Sequence, residues 1–169
     1  PTNVAGEVQT LLLTGGTGFI GGAVLAEIID TPLWARTLVM VRPGLPLIAS
    51  VFALFALGAV PVVIDPGMGL KSFLSCVARS QPRALLGIPM AQLISRVARR
   101  SFLGVKVRVT ARGALDARLT RPGAAGKLAL APTEANELAA VLFTSGSTGA
   151  PKGVCYEHGM FEAQVRLLL

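Results

Sequence analysis

Residues 45–64 read Leu-Pro-Leu-Ile-Ala-Ser-Val-Phe-Ala-Leu-Phe-Ala-Leu-Gly-Ala-Val-Pro-Val-Val-Ile, and the reading of the fold turns on them. The stretch has no charged residue and is long enough to cross a bilayer. Against a spanning helix stand Pro46, Gly58 and Pro61. Gly58 and Pro61 divide it into a helix-length piece, Leu47 to Leu57, and a short β-branched piece, Val60 to Ile64. The first piece is apolar all round, which predicts a helix enclosed in a core. The second is a continuous apolar run, as strands buried on both faces of a parallel sheet are. The stretch therefore reads as a buried helix feeding a buried strand, with no membrane span.

The same alternation continues on both sides. Downstream, Asp65-Pro66-Gly67 is a turn and Lys71 to Arg79 an amphipathic helix with Phe73, Leu74, Val77 and Ala78 on one side. Ala84 to Ile88 is strand-like, and Met90, Leu93, Ile94 and Val97 have the i, i+3, i+4, i+7 spacing of a helix's apolar face. Val105, Val107 and Val109 alternate with basic residues, which predicts a half-exposed strand. Residues 110–137 lack periodicity and read as a long loop, and Ala139 to Phe143 as a further strand. Upstream lie a short strand at residues 10–13, a Gly-rich turn at 14–22, a helix from Ala23 to Ile29 and a strand from Thr37 to Val41, ended by Pro43-Gly44. Alternating strands and helices predict an α/β fold with a mainly parallel sheet.

The composition agrees with a packed protein. Of 169 residues, 52% are hydrophobic and 15% charged, which excludes disorder over most of the chain. Two cysteines, Cys76 and Cys155, and one histidine, His158, make neither a disulfide framework nor a metal pattern, and the cysteines read as small core residues. The N-terminus lacks the charged start of a signal peptide, so the expected location is cytoplasmic. The net charge is +7, which permits phosphate-bearing partners without selecting among them. The charge is uneven: residues 1–42 hold two basic and three acidic side chains, residues 43–169 fourteen and six. From Arg79 to Arg121 there are ten basic residues and one acid, Asp116. With aromatics at 5%, and only Phe102 among those charges, a solvated face explains this stretch more simply than a nucleic-acid site.

Two glycine-rich segments carry chemistry. In the first, Leu-Leu-Thr-Gly-Gly-Thr-Gly-Phe-Ile-Gly-Gly at 12–22, Gly15, Gly18 and Gly21 are spaced for a tight turn between strand and helix. Such a turn lets the backbone approach a pyrophosphate at a helix N-terminus. Arg42, at the end of the next strand with no acid near, suits a 2′-phosphate and hence NADP over NAD. The segment, with Phe19 and Ile20 completing the pattern, resembles extended short-chain dehydrogenase/reductases over residues 10–42. Their Tyr-x-x-x-Lys pair has no counterpart, because four residues after the sole tyrosine, Tyr156, stands Met160.

In the second, Phe-Thr-Ser-Gly-Ser-Thr-Gly-Ala-Pro-Lys-Gly occupies 143–153. It is not a Walker A loop, since Lys152 does not directly follow Gly149. Gly146, Gly149 and Gly153 let the backbone fold round an anion, Thr144, Ser145, Ser147 and Thr148 offer hydroxyls, and Lys152 a mobile positive charge. The segment resembles the signature of the adenylate-forming acyl-CoA synthetase superfamily. Val41-Arg42-Pro43-Gly44 and the run Phe55 to Gly69 are similar to a bacterial branch, the olefin β-lactone synthetase type, that adenylates β-hydroxy acids and closes them to β-lactones. This resemblance spans residues 37–169. It implies a loop that holds the β- and γ-phosphates of ATP, with magnesium, while a carboxylate attacks the α-phosphate. It also implies later motifs for adenine, ribose and a mobile lysine, which lie beyond Leu169. The histidine that often opens the next helix in that family is matched by His158, for which a capping or packing role is the simpler reading.

The sequence thus predicts two parts: a Rossmann-like βαβ fragment at 1–42 and a partial AMP-binding domain at 43–169. Thr37 to Arg42 fits either part. The expected function is that of a fragment of an ATP-dependent ligase forming acyl-AMP on a fatty or β-hydroxy fatty acid, inactive alone, with no catalytic residue and no resident metal assigned. An NADP-dependent reductase fragment and a basic non-enzymatic binding module are the alternatives.

Overall fold

The computed structural model describes residues 36–111, 131–144 and 151–168. The expected strand at 10–13, the turn at 14–22 and the helix at 23–29 lie outside them, as does most of the loop at 110–137. The elements are β1 (Arg36–Met40), α1 (Leu45–Ala56), β2 (Val60–Ile64), a 3-10 turn (Pro66–Met68), α2 (Leu70–Ser80) and β3 (Ala84–Gly87). They continue with α3 (Pro89–Val97), a second 3-10 turn (Arg99–Phe102), β4 (Val107–Thr110), β5 (Leu138–Thr144), β6 (Lys152–Glu157) and α4 (His158–Leu168). The strands form one sheet in the order β4-β3-β1-β2-β5-β6. All pairs are parallel except β5 with β6. The α/β reading with a mainly parallel sheet therefore holds. β1, which the sequence leaves open between two parts, pairs Leu38 with Val62 of β2 on one side and with Leu85 of β3 on the other.

Alternate residues of each strand feed opposite faces, because strand side chains have period two. Val39, Ala84, Leu86 and Val109 pack with Ala49 and Leu54 of α1 on one face. Leu38, Val62, Leu85, Val141 and Phe143 pack with Phe73, Cys76 and Val77 of α2 on the other. Helices thus cover both faces, which is why β2 and β3 read as unbroken apolar runs.

The helix boundaries agree with the sequence, but two orientations do not. The Leu47–Leu57 helix was expected to be enclosed on every side. Instead α1 buries Ala49, Ser50, Ala53, Leu54 and Ala56, while Leu45, Ile48 and Phe52 are exposed. One sheet face is available to it, and three alanines let its backbone lie close to that face. The 45–64 stretch breaks at Gly58, whose φ is +65°, and among the described residues no helix is long and apolar enough to cross a membrane. Of the expected inward stripe Met90, Leu93, Ile94 and Val97 on α3, Ile94 packs against the core while Met90, Leu93 and Val97 face solvent, and Ala91, Gln92 and Ser95 are buried. There Gln92 Nε2 donates to the Val109 carbonyl at 2.9 Å, and Ser95 Oγ to the Gln92 carbonyl at 2.8 Å. The first bond ties α3 to the end of β4, while Gln92 Oε1 is buried with no hydrogen-bond partner among the described residues. On α2, Ala78 is exposed although the pattern put it with Phe73 and Val77.

β3 ends at Gly87 because α3 crosses it there. A Cβ at Gly87 would lie 2.8 Å from Ala91 Cβ and 3.2 Å from Met40 Cβ. Gly87→Ala is therefore expected to lower stability by about 1–3 kcal/mol through overpacking. Urea unfolding checks this; a shifted midpoint at unchanged slope is the expected result.

Candidate functional site

β5 and β6 pair antiparallel, and in sequence the core of the second glycine-rich segment, residues 145–150, joins them. Thr144 stands opposite Lys152, and Phe143 opposite Gly153. Both Thr144 and Lys152 are exposed. Ser145, Gly146, Ser147, Thr148 and Gly149 lie outside the described residues. The hairpin brings the chain back within one strand spacing, so the hydroxyl of Thr144 and the ammonium of Lys152 flank the two ends of that segment. It leaves β5 at the carboxyl end of the parallel strands, where open α/β sheets place their ligands.

Gly153 has a local cause that the sequence does not display. A Cβ there would meet Phe143 Cε1 and Cζ at 2.9 Å. The bare backbone lets β6 lie on the edge of that ring. The Phe143 carbonyl accepts the Asp65 N–H at 3.2 Å, which ties the end of β2 to the end of β5. Asp65 Oδ1 in turn accepts the Gly67 N–H at 2.8 Å and opens the 3-10 turn that leads into α2.

Sequence reasoning missed Arg79. It read as the last basic residue of a solvated helix face. In the structure Arg79 Nη1 donates to the Pro151 carbonyl at 2.9 Å, and its guanidinium lies 6.0 Å from the centre of the Phe143 ring. One side chain therefore grips the residue before Lys152 and covers the ring under Gly153. No local signal marks it, because the two partners are 72 residues apart.

The remaining candidates are not drawn into this site. Arg42 is exposed, two residues past the end of β1, and the turn at Gly15, Gly18, Phe19, Ile20 and Gly21 lies outside the described residues. His158 opens α4, its N–H donates to the Glu137 carbonyl at 3.1 Å, and its ring packs edge-on to Phe55 at 5.9 Å. That is the packing role the sequence favours. The cysteines differ from each other. Cys76 is buried on the inner side of α2, its thiol 3.7 Å from Met68 Sδ, whereas Cys155 is exposed, which corrects its assignment to the core. β6 is the last strand of the sheet, and among the described residues no further strand pairs with its outer margin. Burial pushes the Cys76 thiol above its ordinary range, against a smaller opposing pull from Arg79.

The model of the family described as AMP-binding enzyme matches residues 35–168. The olefin beta-lactone synthetase of Stenotrophomonas maltophilia (strain K279a) is 44% identical over 138 residues, 79% of this chain and 25% of that protein. Its namesake from Xanthomonas campestris pv. campestris is 45% identical over 138 residues, with the same shares of 79% and 25%. The chain spans about a quarter of the length of these curated relatives. Among solved structures, ATP-bound MatB from Rhodopseudomonas palustris superposes with a TM-score of 0.72 at 21% identity, covering 92% of this chain and 31% of that one. That likeness establishes the fold.

Two outcomes follow from the geometry. Arg79→Ala should leave the global unfolding midpoint nearly unchanged, since the residue is exposed. It should speed amide exchange at Lys152 to Val154 about two- to fivefold, as loss of a surface cation–π contact implies; exchange mass spectrometry checks it. Iodoacetamide at neutral pH should label Cys155 and spare Cys76 in the native protein. Because the fold favours the neutral Cys76 thiol, its contribution to stability is complete below the ordinary thiol range. It declines as pH rises through the raised pKa, which an alkaline series of urea melts on a Cys76→Ala pair would read.

Proposed function

The chain belongs to the AMP-binding enzyme family over residues 35–168, and on that premise we propose that it is the triphosphate-holding part of an acid-adenylating ligase. The observation that carries this is the register of Thr144 against Lys152, which sets a hydroxyl and an ammonium at the two ends of the Gly/Ser/Thr segment. In this reading Lys152 and the hydroxyls of Thr144, Ser145, Ser147 and Thr148 hold the β- and γ-phosphates, with Gly146, Gly149 and Gly153 as the backbone cradle. A carboxylate oxygen attacks the α-phosphorus, the bond to the β-phosphate oxygen breaks, and acyl-AMP and pyrophosphate result. A positive charge beside the β-phosphate stabilises the leaving pyrophosphate.

The likeness to the two olefin beta-lactone synthetases supports a long-chain β-hydroxy acid as the substrate. The dependence on ATP fits a cytoplasmic location. Among the described residues, no three His, Cys, Asp or Glu side chains cluster as ligands for a magnesium ion. In this reading the ion accompanies the nucleotide, and no step is assigned to it.

Isothermal titration of the chain with ATP and with AMP tests the proposal. ATP should bind more tightly than AMP, and Lys152→Ala should weaken ATP binding about 10- to 100-fold while leaving AMP binding unchanged. Equal affinity for the two nucleotides would overturn the assignment of the β- and γ-phosphates to this loop.

A further inference from the structure

The margin of the sheet opposite the hairpin carries a second charged feature. β4 and β6 are the first and last of six strands, so about 24 Å separates them at about 4.8 Å per step. Around β4 stand Arg83, Arg96, Arg99, Arg100 and Arg108, all exposed. Arg99 Nε donates to the Arg96 carbonyl at 3.2 Å and Arg108 Nη1 to the Val105 carbonyl at 3.3 Å. These bonds hold two of the side chains in place without neutralising them. Among the described residues the ion pair is Arg166 with Glu162, on α4 and away from this cluster. Like charges gathered without counter-charges repel one another, and an external anion relieves that repulsion.

The same margin is apolar between its charges. Leu103, just past the second 3-10 turn, is 83% exposed and Val97 is 79% exposed. Leu103 stands between two open clefts. One, of about 460 Å³, is lined by Arg96, Arg99 and Arg108 over Phe102 and Val105. The other, of about 530 Å³, is lined by Arg83 and Arg100. Met90, Leu93 and Val97 are the exposed apolar residues of α3, the helix that carries Arg96.

We propose that this margin docks the protein on an anionic phospholipid surface. Leu103 and the α3 stripe enter the boundary between headgroups and acyl chains, and the arginines in the two clefts bind lipid phosphates. Planar guanidinium groups suit phosphate oxygens, and aliphatic side chains amid basic ones are the pattern of interfacial binding. A nucleic acid fits less well. It offers nothing for exposed leucine, methionine and valine to bury against, and no aromatic side chain is exposed in this cluster for bases to stack on. The proposal stands on this surface alone and is independent of the nucleotide site.

Vesicle co-sedimentation of the full chain tests it. Binding is expected to vesicles of phosphatidylcholine with phosphatidylglycerol and not to phosphatidylcholine alone. It should be lost as salt rises from about 0.1 M to about 1 M, where screening shortens to about 3 Å. Replacing Arg96 and Arg99 together by alanine should lower partitioning about 25-fold, or about fivefold for each charge. Arg96→Lys with Arg99→Lys should retain most of it. Leu103→Ser should lower partitioning about tenfold while leaving the salt dependence unchanged. All these side chains are exposed, so thermal melts of the variants should superimpose on the parent's. Absence of binding to the anionic vesicles, or equal binding to the neutral ones, would overturn the proposal. So would retention on duplex DNA without vesicle binding, which would reassign the margin to nucleic acid.

Discussion

Phe143 is the point at which the site is assembled from distant parts of the chain. Its carbonyl accepts the Asp65 N–H from the end of β2, its ring lies under the Arg79 guanidinium from α2, and its edge fills the space that Gly153 of β6 leaves open. The contacts to Asp65 and Arg79 close long loops of chain, and loop closure grows costly only slowly with length. A few well-placed contacts therefore suffice to hold β5 and β6 against the rest of the sheet. Thr144 and Lys152 take their positions from this junction, as the next opposed pair of the ladder after Phe143 and Gly153. In the proposed reading, a phosphate-holding segment gains from having its two ends fixed in this way.

The layers that support this junction are economical. A parallel sheet must be covered on both faces, and α1 covers one while α2 covers the other. Close approach is achieved with small residues, Ala49, Ala53 and Ala56 on α1 and Gly87 under α3. The larger apolar side chains of α1 and α3 are then left pointing outward. Around α1 the outward side is partly used, since Phe55 meets Phe161 of α4 at 5.4 Å and His158 at 5.9 Å. Around α3 no such partner is seen among the described residues. Its exposed apolar residues stand on the helix that carries Arg96, and it is this combination that gives the second margin its character.

Much of the architecture was legible in the sequence. Val60–Ile64 forms a strand with the boundaries read from its apolar run, and the helices between the strands lie within two residues of where periodicity placed them. The second glycine-rich segment stood out because its glycine, hydroxyl and lysine spacing is a local pattern, and the family match over residues 35–168 includes it. β6 was not legible: Lys-Gly-Val-Cys-Tyr-Glu has no alternation, since most of its residues are exposed on the edge strand. The stripe of Met90, Leu93 and Val97 misled, because periodicity reveals that a helix has an apolar side and not which way that side turns.

By itself, then, the sequence determined the α/β class and the succession of strands and helices from β1 to β5. Each of these depends on residues near one another in the chain. The tertiary structure alone decided which faces are buried, that Arg79 grips the carbonyl before Lys152, and that five arginines gather round Leu103. Those outcomes depend on partners brought together from far apart, such as Gln92 with the end of β4 and Arg79 with Pro151. Local periodicity cannot reveal such partners, because which side of a helix is buried depends on the elements it packs against and not on its own sequence pattern.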